Sequence, residues 1–184
     1  ACGLKTCGNI GALGKGRELH AEMVAQHFYG RDLMVGNALI HMYGKCGFLV
    51  EAHKAFKNML EKNIISWNTL MAGYVKHYCY DEALCFFEKM ERKGVSPDAV
   101  TFACILKACN GVGEIGKGIE IHCEVEKKGF LERDLVLGNT LIDMYAKHGF
   151  LTEAQGVFDK LPKQDTISWI TLMVGFLKFN QHKK

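Results

Sequence analysis

Apolar side chains recur along this chain at intervals of three and four residues. In one stretch they fall at Leu39, Ile40, Met42 and Tyr43, and in the next at Leu49, Ala52, Ala55, Phe56 and Met59. This spacing puts each set on one face of a helix. It predicts a first helix over Asn37–Cys46 and a second after Gly47. Glycine suits that junction because it tolerates the positive φ of a helix C-terminus. The following stretch has the same form. Leu70, Met71, Tyr74 and Val75 make a stripe, and Ser66 is placed to cap it. Asp81 and Glu82 stand where a second helix should begin, favourably for its dipole. Ala83, Leu84, Phe87 and Met90 then share a face, and Gly94 and Pro97 end it.

The pattern is also repeated literally. LKTCGNIGALGKGRELHAE at Leu4–Glu22 matches LKACNGVGEIGKGIEIHCE at Leu106–Glu124. GNALIHMYGKCGFLVEA at Gly36–Ala52 matches GNTLIDMYAKHGFLTEA at Gly138–Ala154, and ISWNTLMAGYVK at Ile65–Lys76 matches ISWITLMVGFLK at Ile167–Lys178. All three pairs share one offset of 102 residues, so the chain is a tandem array. Each 102-residue block divides into three helix–turn–helix units. They are Leu33–Asn63, Ile64–Asp98 and Ala99–Asp134, and Leu135–Asp165 copies the first. In the third unit Gly111, Gly113, Gly116 and Gly118 interrupt the pattern, and Ile115–Lys128 is the expected second helix.

A single helix pair cannot bury its own apolar face, so neighbouring units must cover it. The predicted fold class is all-α. Its architecture is a right-handed α-solenoid of tandem helix-turn-helix repeats, with first helices lining the concave face. The stretches 1–32 and 166–184 read as incomplete units, which suggests part of a longer array.

Composition narrows this reading only slightly. Two prolines in 184 residues suit helices, and a net charge of +3 neither demands nor excludes a polyanionic partner. No apolar run approaches the roughly 18 residues of a membrane helix, so no membrane partner is expected. The eight cysteines form no C-x-x-C; Cys2/Cys7 and Cys104/Cys109 are spaced C-x4-C within helical runs. They read as reduced, buried, small apolar residues.

The segments VGNALIHMYGKCG, ISWNTLMAGYVK, DEALCFFEKMERKGVSPD and TFACILKACNGVGEIGKGIEIH resemble pentatricopeptide repeats. The mixed unit lengths resemble the plant PLS subclass, which combines canonical P units with long L and short S units. In that frame residues 1–32 are a partial L unit, 33–63 S, 64–98 P, 99–134 L, 135–165 S and 166–184 a partial P unit. Tetratricopeptide repeats, the rival helical array, keep a uniform period and a different aromatic–glycine pattern.

The resemblance implies sequence-specific binding of single-stranded RNA, one base per repeat. It assigns base reading to Asn37, Asn68 and Asn139, each tuned by a unit-final residue: Asn63, Asp98 and Asp165. It assigns stacking against bases to Met34, Ile65, Val100, Val136 and Ile167. The implied preferences are uracil for Asn68/Asp98 and Asn139/Asp165, and cytosine or another pyrimidine for Asn37/Asn63. Ala103 with Asp134 offers no edge-reading group, and Ile170 replaces asparagine in the last unit. The bland reading of a helix-start asparagine is capping. Lys45, Lys76, Lys147 and Lys178 recur near the ends of first helices; they suit phosphate contact or complement the helix dipole.

Other motifs carry less. His20-Ala21-Glu22 and His122-Cys123-Glu124 match H-x-E of zinc deaminases, but the partner P-C-x-x-C is missing. Both histidines are expected to be partly buried. Gly111–Gly116 matches G-x-G-x-x-G without the preceding strand a dinucleotide site needs. Trp67 and Trp169 read as packing residues. No cofactor, metal or catalytic set is expected. The leading expectation is a non-catalytic RNA-binding module in organellar RNA editing or other RNA maturation, in mitochondria or chloroplasts. Organellar editing factors or ribonucleoprotein proteins are the expected protein partners. The competing expectation is a helical-repeat scaffold for protein interaction in such complexes.

Overall fold

The structure is a computed structural model that describes residues 1–26 and 32–181. Among these residues there are eleven helices and no strand. They are α1 (Cys2–Ile10), α2 (Leu13–Ala25), α3 (Leu33–Lys45), α4 (Leu49–Asn58), α5 (Ile64–Lys76) and α6 (Tyr80–Arg92). Then come α7 (Ala99–Val112), α8 (Ile115–Lys127), α9 (Leu135–Lys147), α10 (Leu151–Lys160) and α11 (Thr166–Gln181). No helix among the described residues is long and apolar enough to cross a membrane.

The helices form two compact units, Ala1–Ser96 and Pro97–Lys184. In the first, α3 is central and packs against α1, α2, α4 and α5. Leu39, Ile40 and Met42 of α3 are wholly buried, with Leu4 of α1, Leu70 and Met71 of α5 and Met90 of α6. Each such side chain contributes about 1.5–3 kcal/mol by leaving water. In the second unit α9 has the same place among α7, α8, α10 and α11. Leu137, Leu141, Ile142 and Met144 fill its core with Phe102, Ile105 and Leu106 of α7. Thus each unit is a short solenoid: first helices stack side by side, and second helices lean on them.

First helices begin earlier than periodicity indicates. α3 starts at Leu33 rather than Asn37, because Asp32 caps it: its Oδ1 accepts from the backbone N–H of Met34 (2.7 Å) and Val35 (3.1 Å). Ser66 is not the cap of α5. Asn63 is, and Ser66 reciprocates from the third helical position in a capping box. Asp98 and Thr101 form the same box on α7, and Asp134 caps α9. At the other end of α3, Gly47 has φ +83°, Phe48 N–H donates to Tyr43 C=O (2.9 Å) and Gly47 N–H to Gly44 C=O (3.4 Å). This Schellman motif recurs at Gly149 and Phe150, and it makes the tight turn into each second helix.

Trp67 packs as expected, buried between Phe56 and Phe86. Trp169 covers Phe158 with one edge but stays 51% exposed. The cysteine expectation holds in part. All eight are free, but only Cys7 and Cys109 are buried, while Cys2 is exposed and Cys104 half-buried. A period of five cannot keep two residues at equal depth on a helix of 3.6 residues per turn.

Candidate nucleic-acid interface

The second residues of the first helices share an uncommon property. Met34, Ile65, Val100, Val136 and Ile167 are apolar yet 55–68% exposed. Nothing in the core of either unit uses them. They stand at the N-terminal ends of α3, α5, α7, α9 and α11, one for each of these first helices.

One turn further on lie Asn37, Asn68 and Asn139. The early helix starts place all three at the fifth helical position, so none is a cap. Capping falls instead to the unit-final residues. Asn63 caps α5, Asp98 caps α7, and Asp165 Oδ1 accepts from Ser168 N–H and Oγ (both 2.8 Å) at the start of α11. These residues therefore hold the next helix in place.

Within the second unit the geometry joins Asn139 to Asp165. Hydrogen bonds from Ser168, first backbone and then side chain, hold the Asp165 carboxyl below its ordinary pKa, and Asn139 adds a further side-chain hydrogen bond. A carboxylate has no hydrogen to donate, so the amide NH2 of Asn139 faces it. The Asn139 Oδ1 is left buried without a partner. The Asn37 Oδ1 in the first unit is orphaned in the same way. Such an acceptor costs about 1–3 kcal/mol when left unmade.

A cleft of about 250 Å³ opens at Asn139. Val136 and Ile167 line it with Lys107, Thr140 and Asp143. Two exposed apolar side chains and an orphaned amide thus share one cavity large enough for a planar heterocycle. Sequence reasoning named Val136, Asn139 and Ile167 but missed Lys107, Thr140 and Asp143. The signal for Asp143 was its place four residues after Asn139, hence on the same helical face. Asn68 is 8% exposed in the first unit, and Asp98 belongs to the second.

The four lysines are not equivalent. Lys147 pairs with Asp143 at 2.7 Å. Lys76 Nζ donates to the Lys45 carbonyl (3.0 Å), where it complements the C-terminal end of α3. Lys45 lies beside His41, and Lys178 is exposed near the end of α11.

The H-x-E histidines have a structural task. His20 Nδ1 bonds the Tyr43 hydroxyl (2.9 Å) and His122 Nδ1 the Tyr145 hydroxyl (2.8 Å). His53 and Tyr74 make a third such bond at 2.6 Å. Each ties a second helix to the next first helix. Burial lowers the pKa of all three histidines and raises those of Tyr74 and Tyr145 to about 12.

Comparison with known proteins agrees with this architecture. A family model described as PPR repeat family matches residues 62–111, and one described as PPR repeat matches 37–64 and 139–165. A pentatricopeptide repeat-containing protein of Arabidopsis thaliana, described as chloroplastic/mitochondrial, is 37% identical over 94% of this chain and 27% of its own length. A second from the same plant, described as chloroplastic, is 39% identical over 78% of this chain and 17% of its length. The chain thus spans about a quarter or less of these two relatives. Among solved structures, the pentatricopeptide repeat protein PPR10 in complex with an 18-nt psaJ RNA element superposes with a TM-score of 0.75 at 21% identity, covering 97% of this chain and 27% of that one. The crystal structure of the pentatricopeptide repeat protein PPR10 from maize gives a TM-score of 0.62 at 20% identity, over 90% of this chain and 24% of that one. Repeats matched over more than half of the sequence, on a fold of stacked helix pairs, make this chain a member of the pentatricopeptide repeat family.

Proposed function

We propose that this chain is a non-catalytic, sequence-specific single-stranded RNA-binding segment of an organellar protein of the PLS type, acting in RNA maturation such as editing. The observation that carries the reading is the cleft at Asn139. A base slides between Val136 and Ile167, which cover its two faces with apolar surface. The Asn139 Oδ1, orphaned in the free protein, accepts the base's donor. Because Asp165 holds the amide nitrogen, the oxygen is the group left for the base. Uracil offers N3–H there, whereas cytosine offers an acceptor at N3, so Asn139/Asp165 favours uracil.

Asn37/Asn63 follows the same logic with a weaker bias. Asn63 is an amide and can donate as well as accept, so it does not force one orientation on Asn37; cytosine or another pyrimidine fits. Asn68/Asp98 takes its uracil assignment from its repeat positions. Met34, Ile65 and Val100 supply the remaining apolar faces. PPR10, of the same fold, is described in complex with an RNA element, and relatives are described as chloroplastic or mitochondrial; both support the reading. The unit assignment is that of the sequence: L, S and P units over 1–32, 33–63, 64–98, 99–134, 135–165 and 166–184.

The test is binding to a panel of RNAs varied one position at a time. Replacing uracil at a single position should weaken binding in the wild type, and Asn139→Thr should move the preference at that position toward guanine. An unchanged preference with retained affinity would defeat the assignment of Asn139.

A further inference from the structure

A uridine inside an RNA strand has two hydrogen-bond donors: N3–H of the base and the 2′-hydroxyl of the ribose. Its other sugar hydroxyls are esterified. The cleft of the second unit presents two strong acceptors that receive no hydrogen bond. One is the orphaned Asn139 Oδ1. The other belongs to Asp143, which lines the same cleft one helical turn further along α9. Asp143 receives two donors, Asn110 Nδ2 of α7 (3.1 Å) and Lys147 Nζ (2.7 Å), and both reach Oδ2. No described residue donates to Oδ1. The other polar groups of the cleft do not compete. The Thr140 hydroxyl is turned to the Val136 carbonyl (2.7 Å), and Lys107 has only donors.

Two features suit Asp143 to a sugar hydroxyl. Its donors come from two helices, so the carboxylate is held before any ligand arrives and little rotamer freedom is lost on binding. The pair with Lys147 also balances its charge, which lets a polyanionic strand approach. An O–H donated to a carboxylate is a charge-assisted hydrogen bond, stronger than one to a neutral acceptor. The base itself offers Asp143 nothing further. Once Asn139 has taken N3–H, the remaining polar atoms of uracil are carbonyl oxygens, which a carboxylate repels.

We propose that Asp143 reads the sugar: its Oδ1 accepts the 2′-hydroxyl of the nucleotide whose base Asn139 holds, so that the second unit distinguishes RNA from DNA at that nucleotide. The assignment rests on the RNA-binding reading above. Asn110 is a positioning residue, which holds the carboxylate from α7. The first unit lacks this arrangement. There Asn37 is followed one turn later by His41, and Asn110 is matched by Gly8. The His41 Nδ1 is buried against α1, where a Cβ at Gly8 would lie 3.2 Å from it, so it does not face a strand. The nucleotide at Asn37 is therefore read by its base alone.

The experiment measures binding of the intact chain to labelled pyrimidine-rich RNA in which one nucleotide at a time carries 2′-deoxy or 2′-fluoro in place of 2′-hydroxyl. The 2′-fluoro group removes the donor and keeps the pucker of ribose. The nucleotide at Asn139 is the one whose base preference Asn139→Thr moves. There both replacements should weaken wild-type binding by about tenfold, the loss of one hydrogen bond to a charged group. At the nucleotide of Asn37 the same replacements should change binding by less than about twofold, since no such bond is lost. In Asp143→Ala the ratio of ribose to 2′-fluoro binding at the Asn139 nucleotide should fall to about one, whatever the variant does to overall affinity. Asn110→Ala should lower the same ratio in part. Equal binding of ribose and 2′-fluoro at that nucleotide, or an unchanged ratio in Asp143→Ala, would overturn sugar reading while leaving base reading intact. The 2′-fluoro scan of the wild type decides the matter if Asp143→Ala does not fold. A base preference that Asn139→Thr moves at no position would overturn base reading, and sugar reading with it.

Discussion

Asn139 donates its side-chain amide to Asp165, and Asp165 in turn caps the helix that follows. One carboxylate therefore does two things: it holds the amide to which base reading is assigned above as a proposal, and it anchors the next first helix. The proposed recognition group and the repeat junction are mechanically one element.

This double role separates two substitutions. Asp165→Ala should lower stability by about 1 kcal/mol through loss of the cap. Asp165→Ser should restore most of that loss, since a hydroxyl also accepts from the first turn. Both should abolish the uracil preference at one RNA position, because neither holds the Asn139 amide by charge. Thermal unfolding and single-position RNA panels on the two variants check the prediction. Recovery of base preference in Asp165→Ser would show that capping alone matters.

The exposed apolar residues should behave unlike core residues. Val136→Ser changes a side chain that no core uses, so stability should stay within about 0.5 kcal/mol. RNA affinity should fall by about tenfold, because one face of the base cleft is lost. Leu141→Ala, directed at the buried side of the same helix, should cost about 2–5 kcal/mol. Denaturant unfolding beside RNA titration distinguishes the two.

Stability should decline in mild acid. Burial lowers the pKa of His20, His53 and His122 in the folded chain below their ordinary 6.5. Below about pH 6.5 the unfolded chain takes up protons that the folded chain does not, so unfolding gains. The full contribution is present above pH 6.5 and is lost as pH falls toward the folded values. Melting temperature should drop between pH 7 and pH 5. The drop should be smaller in the triple variant His20→Phe, His53→Phe, His122→Phe, measured against its own value at pH 7.5.

Two glycines should respond in opposite directions. A Cβ at Gly8 would sit 2.9 Å from the Cα of Met42, a backbone atom that cannot swing aside. Gly8→Ala should destabilise by about 1–3 kcal/mol by pushing α1 from α3. Gly116 lies inside α8 with nothing within 4 Å of an added Cβ. Gly116→Ala should stabilise by about 0.5–1 kcal/mol. Thermal melts of the two variants give the signs.

The sequence by itself determined the helix pairs, their order and the repeat family. Periodicity at Leu39–Tyr43 and Leu70–Val75 is a local property of a helix that must bury one face, and the 102-residue self-match is visible without any coordinates. It also singled out the exposed residues Met34, Ile65, Val100, Val136 and Ile167, through their matching repeat positions. Three things depended on tertiary structure. First, α3 begins at Leu33 because Asp32 satisfies its free N–H groups, and apolar periodicity carries no information about caps. Second, the cleft is shared by Lys107, Val136, Asn139, Asp143 and Ile167, which come from three helices; only packing α7, α9 and α11 side by side brings them together. Third, identical lysines acquired different surroundings. Lys45 and Lys147 occupy the same repeat position, yet one stands among cations beside His41 and the other is neutralised by Asp143. A charge's effect depends on what neighbouring elements place within a few ångströms of it, and that distance is set by the packing of helices far apart in the chain.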